Sequence, residues 1–420
     1  MGQSFRSATR QRVHRRRRTA LVRLPATRLV GAVAAAIFLW ATVVSGGAQA
    51  SPLATGSGWR VEPTPNRNTA ATGINELSAV ACRSGGACTA VGSHAVSLSS
   101  PSFALAESWQ GSKWRIQRTV LPAGAASATL TAVACPSATT CTAVGSAYVK
   151  ATHQTVNLVE TWNGVGWGVQ TVPTPSGSTG SSLFGISCAT PGNCTAVGHY
   201  STAAGQVRAE AERWNGGSWG LQTLTRPAGS SQLSGVSCPT GQACLAVGYY
   251  GTGGDAHPFA EVWRAGSWHL QAAPLPSGSP GGIFAAVSCT APGECTATGA
   301  NFTTTAPTLA ERWDGSRWRI QPTPTPANVG TTHEQPELNA VSCRSASGCT
   351  AVGAYAPGGH PAYFLEGWNG QRWRLERTVR PAGFVEGALN GVSCARLVGC
   401  TAVGAWSGGR ISVRTLALAK

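Results

Sequence analysis

The sequence predicts an all-β protein, a seven-bladed β-propeller with four antiparallel strands per blade, on three observations. Fourteen cysteines fall into seven pairs, Cys82/Cys88, Cys135/Cys141, Cys188/Cys194, Cys238/Cys244, Cys289/Cys295, Cys343/Cys349 and Cys394/Cys400, each with five intervening residues, at a period of 50 to 54. Tryptophans recur in six pairs, Trp109/Trp114, Trp162/Trp167, Trp214/Trp219, Trp263/Trp268, Trp313/Trp318 and Trp368/Trp373, the first of each inside Glu-x-Trp. One isolated fourth strand, residues 58–62, precedes the first unit, and the seventh unit stops after a third strand at residues 411–418. Units of about 50 residues without a sustained 3.6-residue apolar period specify propeller blades. An N-terminal strand that completes the last blade closes the ring and removes two free sheet edges.

Within a unit the first strand alternates small and apolar residues and ends at the first Cys (residues 77–82, 233–238). The second begins at the second Cys and continues as Thr-Ala-Val-Gly (residues 89–92, 142–145, 401–404). The third carries Glu-x-Trp and the fourth starts at the second Trp; Asn163-Gly164, Asn215-Gly216, Asp314-Gly315 and Asn369-Gly370 between them suit a tight reversal. Prolines near the ends of the outermost strands (Pro63, Pro122, Pro173, Pro227, Pro274, Pro322, Pro381) suit a sheet edge. Each Cys pair staples the first hairpin, closing a loop of about 7 residues worth roughly 2.4 kcal/mol on the loop-entropy account. The Trp pairs are expected to pack blade against blade. The repeated Glu107, Glu160, Glu212, Glu261, Glu311 and Glu366 are expected to accept hydrogen bonds from backbone amides or an Arg.

These motifs, L-x-(A/G)-V-(S/A)-C, C-T-A-V-G, E-x-W-N-G and a following Trp, resemble the repeat of secreted bacterial propellers of actinobacterial type. The resemblance covers residues 58–418, is loosely kelch-, galactose-oxidase- and sialidase-like, and implies the fold without an activity.

The first 50 residues read as an export signal, with nine Arg before residue 29, an apolar run over residues 29–44 and Ala48-Gln49-Ala50 as a cleavage site. Residues 51–420 then form a single propeller domain, released extracellularly by the general secretory route, with no membrane span after cleavage. The even cysteine count agrees with an oxidising compartment. Nine of the 32 basic residues and none of the 16 acidic ones lie in the signal, so the remainder carries a mild net charge of +7. Nucleic acid is not an expected partner, and a monomer is expected.

A residue present in every blade serves every blade, whereas a catalytic centre needs unlike groups converging once. With two Asp in the mature chain, Asp255 and Asp314, a sialidase-type Asp box fails on spacing. Glu210, Asp255, Glu294, Glu334 and Glu337 are acids outside the repeat, without visible pairing. No catalytic group, metal site or cofactor is expected. Length varies instead in the connections opposite the Cys and Trp turns. The second Trp lies 19 to 25 positions before the next Cys, and the strand-two Gly lies 14 to 17 positions before the first Trp. The residues there that differ between blades are the ligand-contact candidates: His94, Tyr200, Tyr249, Tyr250, Asp255, His257, His333, Glu334, Tyr355, His360 and Trp406. Drift in unconstrained loops produces the same variation. The reading is a secreted, non-catalytic binding or scaffold module for an extracellular polysaccharide or surface protein. Its alternative is a carbohydrate-active enzyme, a glycoside hydrolase or lyase, on the same scaffold.

Overall fold

The computed structural model describes residues 58–303, 306–327, 336–395, 399–409 and 412–420; the expected signal and the candidates His333 and Glu334 lie outside them. Hydrogen bonding sorts the strands into seven four-stranded antiparallel sheets. Blade one is Ile74–Cys82, Cys88–Ala95, Phe103–Trp109 and Trp114–Gln117, adjacent in space as in sequence, and blades two to six repeat that order. Blade seven is Glu386–Ala395, Gly399–Ser407 and Arg414–Ala419, with Arg60–Glu62 added at its outer edge. The closing register sets Arg60 opposite Ala419, Val61 opposite Leu418 and Glu62 opposite Ala417. First strands pack beside first strands all round, blade seven against blade one included.

All seven disulfides form within their own blades across the first hairpin: Cys82–Cys88, Cys135–Cys141, Cys188–Cys194, Cys238–Cys244, Cys289–Cys295, Cys343–Cys349 and Cys394–Cys400, with Cα atoms 4.0–4.1 Å apart. The expected staple is present in every blade, and the structure adds a second role to it. The second cysteine of each pair, Cys88, Cys141, Cys194, Cys244, Cys295, Cys349 or Cys400, is buried at 1–6% exposure and belongs to an apolar cluster of the core. These sulfurs are therefore out of reach of a ligand and serve packing as well as cross-linking, because cysteine in a core behaves as a small hydrophobe. Five of them also touch the preceding blade. The hydroxyl of the Thr that follows that blade's own second Cys lies 3.5–3.9 Å from Sγ, as Thr89 does from Cys141, Thr195 from Cys244, Thr296 from Cys349, Thr350 from Cys400 and, across the closure, Thr401 from Cys88.

Every first strand carries a β-bulge, directly after Leu77, Leu130, Leu183, Leu233, Phe284, Leu338 and Leu389. Facing each bulge is the glycine four residues after the second Cys, which ends a Cys-Thr-Ala-Val-Gly run in five blades and a one-residue variant of it in the other two, from Gly92 to Gly404. A Cβ at any of these seven would fall 1.9–2.0 Å from a backbone carbonyl oxygen of the first strand. Close backbone approach at a bulge therefore sets glycine here.

Blades are joined by bonds that recur with the repeat. The Ser before the first Cys accepts from the Cys N–H of the next blade: Cys238 to Ser187, Cys289 to Ser237, Cys343 to Ser288, Cys394 to Ser342 and, across the closure, Cys82 to Ser393, all at 2.9 Å. The fourth-strand Trp makes a second set. Trp167 Nε1 donates to Gln117 at 3.1 Å, Trp219 to Gln170 at 2.8 Å, Trp373 to Gln321 at 3.0 Å and Trp114 to Glu62 at 3.1 Å. Each acceptor stands three residues after the fourth-strand Trp of the preceding blade. Trp59 completes the series by donating to Glu376, whose carboxylate also binds Lys420 Nζ at 2.8 Å. The two rings of each Trp pair lie 5.5–5.9 Å apart, and the second is buried to 3–7% exposure. The tryptophans pack blade on blade, as expected.

Gly145→Ala, whose Cβ would meet Thr129 O at 2.0 Å, is expected to cost about 1–3 kcal/mol or more, as overpacking does. Gly166→Ala, with nothing within 4 Å, is expected to leave the thermal midpoint unchanged. Equal midpoints for the two variants would contradict the close-approach account.

Candidate functional site

An up-and-down blade sends the Cys hairpin and the Trp turn to one face of the ring and the two variable connections to the other. Two residues beyond each close-approach glycine, strand two brings a side chain to this variable face. The occupants are His94, Ala147, Tyr200, Tyr250, Asn301, Tyr355 and Trp406, so five of seven are aromatic or His. Across the ladder Phe103 faces His94, Arg208 faces Tyr200, His257 faces Tyr250 and Arg414 faces Trp406. The Tyr250 ring sits 5.6 Å from His257 and 6.2 Å from Phe259, and Tyr355 meets Phe364 edge to face at 5.7 Å. Tyr200 Oη accepts from Arg226 Nη1 at 3.0 Å. Asp255 ends a 3-10 turn over Gly253–Asp255, and His360 follows a second over Pro357–Gly359, exposed. Tyr249 departs from the expectation for a contact residue. At 8% exposure it packs against Ala256, Ile283 and Ala300, because one residue after the glycine the side chain points into the blade stack.

Blade one adds a pocket of about 200 Å³, lined by Arg67, His94, Phe103, Ala104, Thr119, Leu121 and Ala128. The His94 and Phe103 rings are 5.9 Å apart. Burial, with the Arg67 guanidinium as a smaller cause, holds the His94 imidazole below its usual range, so it is neutral at pH 7 and offers one donor and one acceptor. Val96, Leu98 and Leu121, at 57%, 60% and 43% exposure, give blade one an apolar rim. In blade seven Trp406 lies half-buried with the Arg414 guanidinium 5.4 Å over its ring. Sequence reasoning missed Arg67, Phe103, Leu121, Arg226 and Arg414. A usable signal existed for two of them, since Leu121 and Arg226 both stand seven residues after a fourth-strand Trp.

The repeated glutamates are not bound as expected. All six are fully buried, and only Glu160 accepts a backbone bond, from Val120 N at 3.2 Å in the preceding blade. Before blades one, three, five and six the position equivalent to Val120 is proline (Pro65, Pro173, Pro274, Pro324), which has no N–H to give. Burial pushes Glu107, Glu261, Glu311 and Glu366 up to about 8 and Glu160 up to about 7. A second correction concerns Glu210. It pairs with Glu212, the side chain of Asn157 from blade two bonding both carboxyls at 2.6 and 3.1 Å; burial raises both groups, and the neighbouring Glu210 carboxyl raises Glu212 further. The pair is sealed at 3% and 0% exposure, out of reach of a substrate. Among the described residues no cluster of three His, Cys, Asp or Glu could hold a metal ion.

No family model matches the chain, and no curated protein does. Among solved structures it is similar to YCF48 from Cyanidioschyzon merolae, at TM-score 0.50 and 11% identity over 86% of this chain and 98% of that one. A PL25 ulvan lyase aligns at TM-score 0.49 and 10% identity over 82% and 93% of the two chains. The six-bladed fucose-binding lectin of Aleuria aurantia aligns at 0.43 and 12%, over 68% and 90%. At these identities the likeness concerns the fold alone.

The buried carboxyls set a pH dependence whose sign can be worked out. Unfolded they lose their protons near the ordinary glutamate value of 4.5, and folded they keep them to about 8. Between those values the folded chain binds more protons, so stability is fully present below the lower value and falls as pH rises through the upper one. His199, lowered by burial to about 4 from 6.5, acts oppositely but only below 6.5. The thermal midpoint is therefore expected to fall from pH 6.5 to 8. Glu311→Leu is expected to raise the midpoint at the alkaline end and flatten the slope, because blade seven carries Leu418 at the equivalent place opposite Ala402. A midpoint that rose over this interval would contradict the buried neutral carboxyls.

Proposed function

We propose that this chain is an exported, non-catalytic binding propeller that recognises an extracellular or cell-surface polysaccharide with its variable face. One observation carries the reading. The repeated Ser, Cys, Trp and Gln are accounted for by contacts between blades, whereas the side chains that differ from blade to blade gather on a single face. Half-exposed aromatic rings beside donors, as at Tyr200 with Arg226 and His94 with Phe103, suit pyranose rings, which offer C–H faces and hydroxyls. Seven disulfides and the basic, apolar and Ala-x-Ala succession of the first 50 residues support export. Catalysis by a carboxylate pair finds no support at Glu210 and Glu212, which are sealed between blades two and three. Glycoside cleavage requires two carboxylates flanking the bond in an accessible cleft.

The test is a polysaccharide panel followed by grouped alanine substitutions. Replacing Tyr200, Tyr250, Tyr355 and Trp406 together is expected to abolish binding, with circular dichroism and the disulfides unchanged. Replacing the exposed Lys113, Arg317 and Arg372 at the Trp turns is expected to leave binding intact. If the Trp-turn group alone abolished binding, the other face of the ring would be the functional one.

A further inference from the structure

Arginines lie over aromatic rings at three places on the variable face, Arg226 over Tyr200 at 5.8 Å between blades three and four and two more on either side of blade seven, next to its seam with blade one. Trp406 is a tryptophan outside the repeated pairs, and Arg414 covers its ring at 5.4 Å. Arg380 lies 4.9 Å over the ring of Phe384, which packs in the same apolar cluster as Trp406. The seam then carries the feature across to blade one. Asn75 N donates to Val413 O at 3.0 Å and Val413 N to Gly73 O at 2.9 Å. Thr415 N donates to Asn66 Oδ1 at 3.0 Å, so Arg414 and Arg67, each next in sequence to one of these two residues, flank the same seam. Arg67 in turn lines the pocket beside His94.

Arg67, Arg380 and Arg414 are exposed, and among the described residues none is within ion-pair distance of a carboxylate. For Arg380 and Arg414, stacking on an aromatic ring holds the guanidinium in place before a ligand arrives and reduces the rotamer freedom lost on binding. A guanidinium fork so held matches a carboxylate or sulfate in two-point geometry. The pocket is smaller than the roughly 300–1,000 Å³ that encloses a whole drug-sized ligand. At about 200 Å³ it takes one ring of something longer. We infer that the variable face at blades seven and one binds an anionic polysaccharide, its acidic groups held by Arg67, Arg380 and Arg414 and one sugar ring seated beside His94 and Phe103.

This inference rests on the polysaccharide-binding reading above and assigns the class of polymer and the sector that takes it. The experiment measures binding of the oxidised protein to immobilised polygalacturonate, dextran sulfate and neutral dextran across a salt series. The expected result is binding to at least one of the two charged polymers, weakening as salt rises, with dextran roughly tenfold weaker or more. The two charged arms separate a carboxylate from a sulfate as the recognised group. Arg67→Ala, Arg380→Ala and Arg414→Ala should each weaken binding by roughly tenfold, as for a lost charge-assisted hydrogen bond, at an unchanged thermal midpoint. Arg319→Ala, on the Trp-turn face, should not. Salt-insensitive binding to dextran and the charged polymers alike, unmoved by the arginine variants, would overturn the inference and leave the polysaccharide reading standing. Binding to none of the three polymers or to any member of the panel would overturn both.

Discussion

Each blade finishes the hydrogen bonding of its neighbour, and the ring depends on that. The Ser hydroxyl before one blade's first Cys takes the Cys N–H of the next, and a Gln or Glu side chain on the outer strand takes the next blade's indole N–H. These bonds lie at two radii, one by the innermost strand and one by the outermost, so a blade cannot tilt without opening at least one set. Each is worth only about 0.5–1.5 kcal/mol net, but leaving a buried donor unpaired costs more than the bond contributes. Blades one and two carry Ala81 and Ala134 in place of the Ser, and the indoles of Trp268 and Trp318 make no such bond, so the pattern tolerates gaps. Lateral bonding of this kind explains why serine, glutamine and tryptophan recur from blade to blade alongside the cysteines.

Cysteine spacing, Trp spacing and the truncated first and last units made the fold legible, because each repeats in register and each constrains a hairpin or an edge. Where the cause lay in a neighbouring segment, the sequence was silent. The Cys spacing marks a hairpin but not that Cys141 or Cys244 packs inward against a threonine of the blade before. The glycine facing each bulge reads as an ordinary small residue until a carbonyl is found about where its Cβ would be. The outer Gln residues read as surface until the following blade's indole is placed on them. The repeated glutamates looked as though backbone amides would bind them, and for four of the six the residue that prevents it, a proline on the preceding blade, is some 40 positions away in sequence. Glu210 looked unpaired although Glu212, two residues on, shares its strand face by simple alternation; what the sequence does not show is Asn157 of the preceding blade bonding both. The candidate face was proposed from its aromatics and histidines, while Arg67 and Arg414 were missed for lack of a repeat to mark them.

The scaffold and the face follow different rules. Across the Cys and Trp turns every blade solves the same problem in the same way, and a change there is felt by two blades. Near the variable face the Gly-plus-two position holds His, Ala, Tyr, Asn or Trp, with Ala147 and Asn301 buried and the other five half-buried, so this strand end takes different residues in different blades. Chemistry can differ from one blade to the next at little structural cost, which is how one ring comes to have a sector unlike the rest.

The closing strand sets an order of events for the folding chain. Each disulfide joins residues six positions apart, so the staples can form in succession as the chain appears, without waiting for distant segments. Blade seven cannot be completed in that way. Arg60–Glu62 must stay unpaired until Arg414–Ala419 exists, and Trp59 finds its acceptor on blade six only then. Until that moment the molecule is an open arc with an unsatisfied edge at each end, able to pair with the edge of another copy. The ion pair of Lys420 with Glu376, next to the indole of Trp59, is formed only once this closure is made. Dilution, rather than a folding catalyst for disulfide rearrangement, is what would help this chain to refold.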